Sequence, residues 1–186
     1  NMKKYILVFS TMIAMTLTSC SNDDPEIINE EEVITTLEVT LIPQGGGTTV
    51  TLVSRDLDGD GPNAPVVSVS GALQANKTYA GTAKVLNETE TPAENITLEV
   101  EEEGDEHQFF YTFSNSIATV AYTDQDKNGR PIGITFNVTT TSAGIGNLTV
   151  TLRHEPNKTA AGVAAGNITN AGGETDVEVD FSLTVN

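Results

Sequence analysis

From Asp176 to Val185 the chain alternates without a break. Val177, Val179, Phe181, Leu183 and Val185 are apolar, while Asp176, Glu178, Asp180, Ser182 and Thr184 are acidic or hydroxylic. Side chains of an extended strand point to opposite faces in turn, so this pattern describes a strand with one face in a core and the other in water. Such one-sided burial belongs to antiparallel sheets, since parallel sheets are covered on both faces. The same alternation recurs at Leu37, Val39 and Leu41, at Ile134, Phe136 and Val138, and at Leu148, Val150 and Leu152. Weaker strand patterns cover 48–54, 65–70, 78–87, 107–114 and 118–123.

Turn residues separate these segments. Pro43-Gln44-Gly45-Gly46-Gly47 predicts a hairpin loop between the first two strands, and Gly144-Ile145-Gly146-Asn147 the start of another. Residues 93–103 read two ways: Pro92, Ala93 and Glu94 open a short helix, or Ile96, Leu98 and Val100 mark a strand in an acidic excursion. Thr159 to Gly173 is rich in Ala and Gly and reads as a long surface loop. Phe109, Tyr111 and Phe113 share one face and belong in the core, with Phe110 turned to solvent or a second layer. Eight or nine short strands with turns between them predict an all-β fold, a single antiparallel β-sandwich of the immunoglobulin-like or jelly-roll kind.

The front of the chain has a different grammar. Lys3 and Lys4 precede an apolar run from Tyr5 to Leu17, too short for a membrane span of about 20 residues and of the length of a secretory signal. The run ends in Leu17-Thr18-Ser19-Cys20, the lipobox pattern, in which small residues admit the peptidase and the thiol takes a diacylglycerol as a thioether. Cys20 is the only cysteine, so no intrachain disulfide is possible in an oxidising destination. The expected organisation is a signal peptide over 1–19, an acidic tether over 20–32 containing Asp23, Asp24, Glu26 and Glu30-Glu31-Glu32, and a β-sandwich over 33–186.

That tether resembles those of lipoproteins from the Bacteroidota, in which acidic residues after the lipidated cysteine direct export to the outer face of the outer membrane. The whole chain is similar to small flavobacterial lipoproteins, some of which carry a generic "type 1 periplasmic binding fold" label. That fold needs long helices alternating with strands over a longer chain, and the residues here do not supply them. The resemblance implies an outer-membrane lipoprotein, exposed on the cell surface in preference to the periplasmic face.

Charge narrows the partners. The formal net charge is −17, and loss of Lys3 and Lys4 with the signal takes it to −19. Such a field repels nucleic acid and attracts divalent cations and basic partners. There is no Trp, and only Tyr79, Tyr111 and Tyr122 remain after the signal, which is poor material for a sugar-stacking surface.

Two acidic loops are candidate calcium sites. Asp56-Leu57-Asp58-Gly59-Asp60-Gly61 places oxygens at alternate positions and glycine at the sixth, as in the first half of an EF-hand loop, with Asp56, Asp58 and Asp60 as ligands. A weaker copy offers Asp124, Asp126 and Asn128 before Gly129. Val67 and Thr135 stand where the EF-hand has its bidentate Glu, so another loop would have to complete either site. Asp, Asn and Gly are also the ordinary residues of tight turns, the plainer reading of both segments. His107 and His154, each at a predicted strand end, raise a transition metal or haem, but no third ligand stands at metal spacing and solvent-facing or locally hydrogen-bonded histidines are the better expectation. No nucleophile elbow, phosphate loop or His-Glu-x-x-His motif is present, and the chain is expected to be a non-enzymatic binding or accessory module beside a membrane-protein partner. The alternative is a binder of a soluble ligand or ion: calcium first, haem or glycan after it.

Overall fold

The computed structural model describes residues 32–59 and 61–186. The signal segment, Cys20, most of the expected tether and Asp60 lie outside the described residues. Among the described residues, nine strands form two antiparallel sheets enclosing one main core. They are β1 (Thr36–Pro43), β2 (Val50–Arg55), β3 (Val66–Val69), β4 (Thr78–Leu86), β5 (His107–Phe113), β6 (Ala118–Tyr122), β7 (Thr135–Thr140), β8 (Gly144–His154) and β9 (Glu174–Val185). Six of them make one sheet in the order β3-β2-β1-β4-β7-β6, and three make the other in the order β5-β8-β9. The expected all-β sandwich is the fold, and every segment read as a strand, strong or weak, contains one.

The alternation does the packing. Leu37, Val39 and Leu41 of β1, Leu52 of β2, Val85 of β4 and Val138 of β7 point inward and are almost fully buried. Phe109, Leu148, Val150, Leu152, Phe181 and Leu183 meet them from the three-stranded sheet. The sheets touch through Tyr111 and Phe136, whose ring centroids are 4.0 Å apart. Phe136 lies over its register partner Gly81, where a Cβ would fall 2.3 Å from Phe136 Cε2, so the large ring requires the missing side chain.

The acidic segment near 93–103 is a short helix, α1 (Thr97–Glu102). Ile96 and Val100, four apart, are buried on one face, whereas Leu98 is 62% exposed. A strand would have put all three on one side; the helical period separates them. β7 begins at Thr135 opposite Thr82, so the ladder on that side of β4 ends before Val85. Thr97 takes over: its hydroxyl accepts from the Val85 N–H at 2.8 Å and donates to the Val85 carbonyl at 3.2 Å.

Three expectations need correction. Gly144 to Asn147 does not open a hairpin: β7 and β8 belong to different sheets, and the glycines instead let β8 pass against Ser114 and Ile117, where a Cβ on Gly146 would come within 3.0 Å of both. The segment before β9 is more than a surface loop. It holds two short 3-10 turns, Val163–Ala165 and Ile168–Asn170, and drops Val163 and Ala171 onto Phe110 as a second small core. Asp176 is not on the solvent face with Glu178 and Asp180. Leu152 pairs with Val177 but Arg153 with Thr175, so Asp176 is the extra residue of a β-bulge, and its side chain is only 5% exposed.

Candidate functional site

Antiparallel pairing gathers the long connections at one end of the sandwich. The start of β1, the end of β2 and the end of β4 are register partners there. The start of β5, the end of β8 and the start of β9 are likewise register partners in the other sheet. The loops at 56–65, 87–106, 123–134 and 155–173 carry most of the residues singled out above, while the other end has short turns.

The segment Asp124–Gly129 is held by its own lysine. Asp124 Oδ1 accepts the N–H groups of Ile132 (3.3 Å) and Gly133 (2.8 Å), and Oδ2 accepts that of Thr135 (2.8 Å). Asp126 Oδ1 accepts the N–H groups of Asn128 and Arg130 at 2.8 and 2.9 Å, an Asx turn in which Asn128 enters through its backbone. Asp126 Oδ2 lies 3.1 Å from Lys158 Nζ, a pair whose side chains are 1% and 4% exposed. Lys158 also donates to the carbonyls of Pro131 (2.9 Å) and Gly104. Burial pushes the lysine below its usual value despite Asp126. Burial acts to raise Asp126, but the Arg130 N–H, Lys158 and the Asn128 N–H outweigh it and hold the carboxyl below the ordinary range. A metal ion at this loop would have to displace an ammonium that already uses all three of its donors. Beside it lies a cleft of about 310 Å³ lined by Glu101, Glu102, Asp105, Asp124, Asp126 and Lys127.

The Asp56 loop is more open. The Asp58 N–H donates to Asp56 Oδ1 at 3.3 Å, and Asp58 Oδ2 accepts the side-chain and backbone N–H groups of Asn63 at 2.6 and 3.3 Å. Asn63 holds the Asp58 carboxyl below its usual value. Leu57 between them is 49% exposed.

The histidines are the larger surprise. His107 opens β5, His154 closes β8, and the two are direct register partners whose rings stack with centroids 4.7 Å apart at an angle of 11°. Both are buried, His107 completely, so of the two arrangements expected the solvent-facing one does not occur, while His107 is locally hydrogen-bonded. His107 Nδ1 lies 3.3 Å from the Glu103 carbonyl. Its Nε2 faces two carboxylates, Glu32 Oε1 at 3.2 Å and Asp176 Oδ2 at 3.9 Å. Burial works to lower the imidazole, yet Glu32, the Glu103 carbonyl and Asp176 together hold it above its usual value.

The structure thus brings Asp124 and Asp126 together on one backbone turn and places Asp56 and Asp58 in a separate loop, both at the loop-rich end. Glu32, Glu103, Lys158 and Asp176 were missed. Glu32 looked like solvated tether and Asp176 like the polar face of a strand, while Lys158 stood in a plain loop. Only its isolation in a lysine-poor stretch hinted at a role. No family model, curated protein or solved structure matches this chain, so the reading of these residues rests on their own chemistry.

Proposed function

We propose that the chain is a lipid-anchored, non-enzymatic binding or accessory module of the outer membrane, displayed at the cell surface. The lipobox ending in Cys20 and the acidic residues after it support the anchoring. The observation that carries the reading is where the described chain meets the sandwich. Glu32 lies against His107 at the loop-rich end, and β1 runs away from it. The first described residues therefore enter the sandwich at the loop-rich end, and the reading assigns the short-turn end to a partner. That opposite end holds a cleft of about 570 Å³ with a mixed lining that includes Thr48, Val50, Ser70, Leu73, Gln74 and Tyr79, the surface this reading assigns to a membrane-protein partner.

The test is incorporation of labelled fatty acid in cells, with and without Cys20→Ser, followed by protease treatment of intact cells and cross-linked recovery from detergent extracts. Loss of label in the variant, digestion on intact cells and a recurrent membrane-protein partner are the expected results. An unlabelled wild-type chain overturns the anchoring, and recovery of the chain alone overturns the accessory role. A second reading, a binder of an ion, is favoured by one specific observation, the buried acids around His107.

A further inference from the structure

The meeting point of Glu32, His107 and Asp176 is built for a cation. His107 is fixed from two sides, by its stack on His154 and by Nδ1 near the Glu103 carbonyl. That orientation turns Nε2 toward Glu32 and Asp176, whose side chains are 9% and 5% exposed. Two carboxylates facing one imidazole in a dry site call for a positive centre on Nε2, which either a proton or a metal ion supplies. Among the described residues, Glu32 Oε2 is buried without a hydrogen-bond partner, and His107 Nε2, although 3.2 Å from Glu32 Oε1, makes no well-directed hydrogen bond.

We propose that Glu32, His107 and Asp176 form a site for a divalent transition-metal ion of the zinc class. Donor atoms around a tetrahedral ion with bonds of about 2.0–2.1 Å lie about 3.3 Å apart; Glu32 Oε1 at 3.2 Å from Nε2 meets that separation, and Asp176 Oδ2 at 3.9 Å has to move in. Glu103 has a carboxylate oxygen within 4.8 Å of the ligand atoms of Glu32 and His107 and is exposed, so it or a solvent molecule takes the remaining position. The contact of Nδ1 with a backbone carbonyl is the usual outer support of a metal-binding imidazole. An imidazole among the ligands selects against calcium and magnesium, which take oxygen alone. The site deepens the ion-binding reading and does not depend on acylation of Cys20. Its physical effect is to fasten the residues that lead into β1 to the first residue of β5 and the bulge of β9.

The experiment uses the full chain in detergent, stripped by chelator, titrated with zinc by calorimetry and with cobalt(II) by visible absorption. The expected result is one equivalent of zinc and a cobalt spectrum of four- or five-coordinate intensity. His107→Gln should abolish that spectrum, and Glu32→Gln should weaken binding at least tenfold. Because His107 lies in the core, Glu32→Gln is the decisive variant: Glu32 precedes the first strand, and circular dichroism reports whether the fold is kept. Binding that is the same in wild type, His107→Gln and Glu32→Gln, or a weak six-coordinate cobalt spectrum, overturns the site and leaves Glu32 and Asp176 as counter-charges of an imidazolium. Displacement of cobalt by an equal concentration of calcium overturns the transition-metal assignment.

Discussion

Replacing Lys158 with methionine removes the cation that the Asp124–Gly129 turn is built around. The change keeps the length and apolar stem of the side chain, so its effect is electrostatic. It leaves the Asp126 carboxylate with no counter-charge at a position 1% exposed, and strips a donor from the carbonyls of Gly104 and Pro131. Breaking a buried pair from one side costs about 3–5 kcal/mol, since the surviving charge stays desolvated. For a domain of this size each kcal/mol moves the melting midpoint by about 2–4 °C, which gives a fall of about 6–20 °C. Asp126→Asn keeps an oxygen for the Asn128 and Arg130 N–H groups while removing the charge. Adding it to Lys158→Met should therefore recover a large part of the loss. Thermal melts and urea denaturation of wild type, both single variants and the double variant close the cycle. A Lys158→Met chain within 2 °C of wild type, or a double variant whose loss is the sum of the singles, would refute the reasoning.

Phe110→Ala should lose about 3–5 kcal/mol in urea and open residues 159–171 to protease, because Val163 and Ala171 rest on that ring; a loss under 1 kcal/mol would mean the second core contributes little. Arg55, with help from Thr36, holds Glu88 at about 2, against an ordinary value of 4.5. A depressed acid contributes fully above its unfolded value, and the contribution is lost as pH falls through the folded one. Melting midpoints of wild type should therefore drop between pH 4.5 and 2, and those of Glu88→Gln should start lower and fall less steeply; parallel profiles would contradict this. Calcium at about a hundredfold over its Kd should add about 2.7 kcal/mol if it occupies the Asp56 loop. Calorimetric scans in calcium and in chelator should show a gain that Asp58→Ala removes and Asp124→Ala leaves, and an unchanged wild type would return that loop to a plain turn.

Strand positions were legible because a two-residue period is a local property. Val177 to Val185 and Leu148 to Leu152 declare their inner faces without reference to any partner. The helix at Thr97–Glu102 was half legible, since Ile96, Leu98 and Val100 fit both periods until Leu98 is seen facing solvent. What the sequence could not show was which strand ends become neighbours. The distance from His107 to His154 along the chain says nothing of their being opposite each other on β5 and β8. Lys158 was illegible for the same reason: its three acceptors come from the α1–β5 turn and from two positions in the β6–β7 loop. The site residues are set by long-range register, while the sequence speaks mainly of faces.

The bulge in β9 separates two duties that a regular strand would entangle. Because Asp176 has no partner in the ladder, the nine residues that follow keep their alternation whether or not it is there. Insertion or loss of a residue at that one point changes the chemistry beside His107 while leaving Val177 to Val185 in phase with the core. Elsewhere in the strand a one-residue shift would turn Phe181 and Leu183 to water. The fold thus contains a position where a polar function can be gained, exchanged or discarded by a single codon without renegotiating the sandwich.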